Sequence, residues 1–131
     1  MFTKEEIKAA HSKVKTGADY PKYVHDLKQL GIAKYDYLVE DGSNIYYDAR
    51  GNSVSLKLTS GTFLQVAAIS SSEKIKLAVK ITQQGKSDFQ TFCAQAADAG
   101  VERWTSDLEN MTCSYFDLQG MLLFSEGIPG V

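Results

Sequence analysis

A chain of 131 residues with 44% apolar and 23% charged side chains suits one folded domain, large enough to bury a core without metal or disulfide support. A formal net charge of −2 offers no basic surplus for nucleic acid or an anionic membrane, and no apolar run approaches the roughly 20 residues that span a bilayer. Cys93 and Cys113 stand in no metal-ligand spacing and make no disulfide framework. With an N-terminus that lacks the apolar core of a signal peptide, this leads us to expect reduced thiols in the cytoplasm.

Taken in chain order, Thr3 and Glu6 form a capping box that opens a first helix with the stripe Ile7, Ala10 and Val14, ending at Gly17. Asp19 is the expected N-cap of a second helix with the apolar face Tyr20, Tyr23, Val24, Leu27 and Leu30, closed by Gly31. A strand over Ile32–Glu40 follows. Then comes a hairpin of Asn44–Asp48 and Ser53–Leu58 around the turn Asp48-Ala49-Arg50-Gly51. Thr62–Ile69 reads as a further strand, and Ser70–Ser72 supply N-cap candidates for a helix to about Gln84. A fourth helix over Asp88–Ala99 precedes strands near Val101–Leu108, Thr112–Asp117 and Met121–Ser125.

This order contains an internal match. Glu5 to Gly17 aligns with Glu73 to Gly85 at an offset of 68, and Asp19 to Gly51 with Asp88 to Gly120 at an offset of 69. The shared positions are punctuation and core: Gly31/Gly100, Tyr46/Tyr115, Asp48/Asp117 and Gly51/Gly120, with Tyr23/Phe92 and Tyr35/Trp104 as like-for-like exchanges. The expectation is an α+β fold made by tandem duplication of a helix-helix-strand-hairpin unit, a mainly antiparallel sheet packed with four helices. The single domain would hold repeats at about 3–58 and 72–125, joined by a strand segment near 62–69.

The segments FTKEEIKAAHSKVKTGADYPKYVHDLKQLGI, QQGKSDFQTFCAQAADAGVERW and DLENMTCSYFDLQG resemble the YbcV-like bacterial family of unknown function, often labelled "phage envelope protein". The resemblance covers nearly the whole chain, least distinctively at 57–69. It implies a compact α+β fold and prophage ancestry, and it carries over no catalytic residues.

Chemistry is sparse. His11 and His25 lie beside the helix stripes, but Val79 and Ala94 fill the matching positions, and no local hydrolase signature accompanies them. Cys93 occupies the slot of Val24, as a packing cysteine does, while Cys113 lies on a strand and stays open as a nucleophile. Asp48 and Asp117 are explained by their Asp-x-x-Gly turns, whereas Glu40 and Glu109 recur without a local task. Tyr35 and Tyr37 share a strand face, and the aromatic set suits packing between sheet and helices. The junction of the two halves is therefore the place for a small-molecule site, with Tyr35, Trp104, Tyr46 and Tyr115 as ligand-binding candidates. No phosphate loop, dinucleotide fingerprint, zinc cluster or calcium loop is present, so no metal or cofactor is expected. The leading reading is a cytoplasmic interaction or ligand-binding module of phage origin, with a protein or small molecule as partner. An enzyme with a pocket between the repeats, and an architectural or nucleic-acid-associated phage protein, are the alternatives. Edge strands leave room for pairing with a second copy.

Overall fold

The computed structural model describes residues 2–15, 19–57 and 63–128. The elements run α1 (Lys4–His11), α2 (Tyr20–Gln29), β1 (Ile32–Leu38), β2 (Ser43–Asp48), β3 (Ser53–Lys57), α3 (Ser72–Gln83), α4 (Phe89–Asp98), β4 (Arg103–Asp107), β5 (Thr112–Phe116) and β6 (Leu122–Gly127). All six strands join one sheet in the order β3-β2-β1-β4-β5-β6, and every neighbouring pair is antiparallel. The class is α+β.

The helix starts are chemically explicit. Thr3 and Glu6 complete the capping box of α1, Ser71 caps α3 through Lys74 N–H, and Asp88 caps α4 through Thr91 N–H. Asp19 departs from this expectation: its carboxylate accepts Lys15 N–H at 2.9 Å instead of capping α2, whose first turn carries Pro21. The first helix also stops earlier than its stripe implies. Ser12 turns its hydroxyl back to the Ala9 carbonyl at 2.7 Å, so Val14 lies beyond the helix, while Gly17 falls outside the described residues.

Two turns share one design. Asp48 Oδ1 accepts the N–H groups of Arg50 and Asn52, and Asp117 Oδ1 accepts those of Gln119 and Met121, each at 2.9 Å. Gly51 and Gly120 follow at φ 90° and 79°.

The segment expected as a strand at 62–69 is a correction. Thr62 lies outside the described residues, and 63–69 forms no strand. Its N–H groups go elsewhere: Leu64 to the Glu40 carbonyl, Ala67 to Ala97 and Ser71 to Ala99. The last two tie the segment to the end of α4, where the Ala97 carbonyl also accepts the Gly100 N–H at 3.0 Å. Close packing here explains Gly100, where a Cβ would stand 2.6 Å from Ser70 Cα.

Burial alternates along the strands, with the helices on one face. The registers place two rows across that inner face. One is Val54, Tyr46, Tyr35, Ser106, Cys113, Glu126; the other is Leu56, Asn44, Tyr37, Trp104, Tyr115, Phe124. Helix residues Ile7, Val24, Leu27, Ile75 and Ala96, all fully buried, close over the rows to make one core.

Candidate functional site

Helix α1 packs on α2 and α3 packs on α4. Between the two pairs, above the β1–β4 seam, lies a cavity of about 420 Å³, a size that holds a small organic ligand. Its floor is Tyr35, Tyr37, Trp104, Cys113 and Tyr115, with Asn44 at one side and Glu126 at the other. Its walls come from helix ends and the turns beside them: His11, Val14 and Lys15, then Tyr20 and Tyr23, then Val79, Thr82 and Gln83, then Asp88, Gln90 and Phe92.

The floor is a continuous aromatic surface. Tyr37 stacks on Trp104 at 4.4 Å between ring centroids, Phe92 meets Trp104 edge-on at 5.3 Å, and Tyr115 lies 5.8 Å from Trp104. Ring pairs at such spacings are each worth on the order of 0.5–1.5 kcal/mol beyond their buried area, which supports this arrangement of the floor.

Through this surface runs a buried hydroxyl chain. Tyr35 donates to Tyr20 at 3.2 Å, Tyr20 and Ser106 share a short hydrogen bond, and Ser106 donates to Cys113 Sγ at 3.8 Å. Burial pushes the Tyr20, Tyr35 and Tyr115 phenols well above their ordinary range, so they stay protonated donors. Burial likewise raises the Cys113 thiol to about 11 and lowers the His11 imidazole, which packs edge-on against Tyr23 at 5.7 Å. Glu126 is half-buried; Gln83 donates to its Oε1 at 2.7 Å, and burial holds its carboxyl above the usual range.

Of the four aromatic candidates, Tyr35, Trp104 and Tyr115 line the cavity. Tyr46 does not. It is fully buried behind Tyr35, stacked on it at 5.0 Å, with its hydroxyl 2.6 Å from that of Tyr23. His11 reaches the wall, His25 is exposed on α2, and Glu40 and Glu109 are exposed. Cys93 is buried, 3.4 Å from the Tyr37 hydroxyl, and burial raises it to about 11. Sequence reasoning passed over Thr82, Gln83, Glu126 and Tyr20. The internal offset held the signal for two of them, since Val14 aligns with Thr82 and Lys15 with Gln83. Among the described residues no group of three or more His, Cys, Asp or Glu side chains is placed to hold a metal ion, and no helix is long and apolar enough to cross a membrane.

The uncharacterized protein YcgX of Escherichia coli K12 is 30% identical over 115 residues, spanning 88% of this chain and 85% of that protein. The uncharacterized proteins Rv2012 of Mycobacterium tuberculosis and Mb2035 of Mycobacterium bovis are each 49% identical over 41 residues, 31% of this chain and 25% of theirs. With a family profile matching residues 8–127, the chain belongs to the family described as protein of unknown function, DUF1398.

Proposed function

We propose that this chain is a small ligand-binding module whose ligand occupies the cavity between the two helix pairs. The observation that carries this reading is the cavity itself: about 420 Å³ over a floor of Tyr35, Tyr37, Trp104 and Tyr115, with a few inward polar groups at its margin. Trp104 is the only tryptophan of the chain, so ligand entry reports directly in its fluorescence. In a metabolite screen, a true ligand changes Trp104 emission and raises the unfolding midpoint together, by mass action. A Val79→Phe variant, which puts a ring into the wall of the cavity, abolishes both responses while remaining folded. If no compound in a broad screen produces either response, the cavity is a packing space and the reading fails.

The enzyme reading has less behind it. Cys113 and His11 both border the cavity, but burial moves the thiol up to about 11, away from the thiolate that nucleophilic chemistry needs.

We also infer that the two halves are copies of one unit. The β1–β4 register supports this. At the offset of 69, Asp36 corresponds to Thr105, and these two are cross-strand partners. The pairs Lys34↔Asp107 and Leu38↔Arg103 then exchange under the same twofold operation. The cavity straddles that pseudo-axis, bordered by both members of His11/Val79, Val14/Thr82, Lys15/Gln83, Tyr23/Phe92 and Tyr35/Trp104. Family sequences whose halves vary without relation at these offsets would count against duplication. On the same footing we place the module in the cytoplasm, as a relative of the YbcV-like, prophage-derived proteins. Free, buried Cys93 and Cys113 suit a reducing compartment. Recovery of the native protein in a periplasmic or envelope fraction would overturn that placement.

A further inference from the structure

Glu126 is the most informative side chain at the cavity. It ends the inner row Ser106, Cys113, Glu126, beyond the aromatic floor, and it is half-buried. Gln83 holds its Oε1 at 2.7 Å, and no other side-chain hydrogen bond reaches the carboxylate among the described residues. The ion pairs among those residues, Lys22–Asp26 and Lys74–Asp98, leave Glu126 without a cation. The other two charged groups at the cavity differ in kind. Lys15 is exposed, and Asp88 is exposed with Oδ1 capping α4 at 2.7 Å from Thr91 N–H. A carboxylate half withdrawn from water, with one neutral partner, is free to form a charge-assisted hydrogen bond to a cationic group entering the cavity.

We propose that the cavity takes a protonated amine on an aromatic or aliphatic body, the ammonium held by Glu126 and the body laid against Trp104 and Tyr115. This rests on the ligand-binding reading above and names the class of ligand that the site selects. Buried Thr82, whose hydroxyl has no partner among the described residues, stands on the same wall as Gln83. A turn of its side chain between the two rotamers threonine adopts in helices offers the ammonium a second acceptor.

The test compares three probes of one shape: 4-phenylbutylamine, 4-phenylbutanol and 4-phenylbutyrate, titrated against the full chain with Trp104 fluorescence and calorimetry. A charge-assisted bond to Glu126 makes the amine bind roughly tenfold tighter than the alcohol, and the carboxylate weakest. E126Q keeps an oxygen for Gln83 but removes the charge, so the amine loses roughly that tenfold while the alcohol is unchanged. His11 also borders the cavity and gains a proton on acidification, so the pH arm is run in His11→Val. There, lowering the pH until Glu126 takes its proton weakens the amine and spares the alcohol. Equal binding of amine and alcohol, or an amine affinity indifferent to both E126Q and pH, overturns the amine assignment and leaves a neutral-ligand cavity standing. Silence from all three probes in fluorescence and calorimetry overturns the assignment, and the screen above then decides whether the cavity binds anything.

Discussion

The two faces of the sheet are built from the same strands and opposite chemistry. On the inner face, rings lie on rings and hydroxyls bond hydroxyls, as where Tyr35 stacks on Tyr46 and Tyr46 meets Tyr23. On the outer face, cations lie over the rings: Lys34 is 4.9 Å from the Tyr47 centroid and Arg103 is 4.2 Å from that of Phe116. Thr105 there bonds Asp36 at 2.6 Å, a polar bridge across the β1–β4 seam. Adjacent tyrosines on β2 thus have different work. Tyr46 is fully buried, whereas Tyr47 is half-exposed and stays wet on one side. The sharpest way to break the comparison is to truncate both. Tyr46→Ala is expected to cost about 3–5 kcal/mol in urea unfolding, since it empties a fully enclosed ring site. Tyr47→Ala should cost about 1 kcal/mol, the order of a cation–π contact and one cross-strand pair. Equal costs would mean that the outer face is also enclosed, by something beyond this chain.

A smaller effect separates the ends of the two second helices. Gly31 and Gly100 both take left-handed backbone, at φ 92° and 82°. Around Gly31 an added Cβ meets nothing within 4 Å, so Gly31→Ala should cost only the conformational penalty, about 1 kcal/mol. Gly100→Ala drives its Cβ into Ser70 backbone and should cost about 3 kcal/mol. Matched thermal melts of the two variants check this. Parity between them would show that the 63–71 segment yields freely, and that its hydrogen bonds to Ala97 and Ala99 do not fix it on α4.

Much of this architecture is legible in the sequence because it depends on local rules. Caps such as Thr3 and Asp88, the Asp-x-x-Gly turns and the glycines after α2 and α4 each state their conformation within a few residues. The misread elements are those governed from a distance. TFLQVAAI is apolar enough to read as a strand, yet its N–H groups meet single carbonyls in separate places, Leu64 at Glu40 after β1 and Ala67 at Ala97 in α4. The aromatic floor was foreseeable because period-two spacing and the internal offset bring Tyr35, Tyr37, Trp104 and Tyr115 to one face. Tyr46 shares that face, but its place under Tyr35 depends on how the rings stack. Glu126 gave no signal: it lies on the last strand with no aligned partner in the first half, and only the β5–β6 register sets it beside Cys113.

The smallest expected effect concerns acid, and it distinguishes the two helix pairs at the cavity wall. His11 stands on the first pair and Val79 in the matching place on the second. Burial lowers the His11 pKa in the folded chain, so the unfolded chain binds its proton more readily. Stability is therefore unaffected by this group at neutral and higher pH. It falls as pH drops through the ordinary histidine range, and levels off once the folded form is protonated as well. His11 is half-exposed, so the loss is modest. Its signature is the difference between wild type and His11→Val, which copies the second half's residue onto the first. The two melting curves should lie a constant distance apart above neutrality, and the wild-type curve should fall relative to that of His11→Val as the pH approaches 5. Parallel displacement through the whole range would mean that His11 titrates alike folded and unfolded, and that this wall of the cavity is as open to water as the outer face of the sheet.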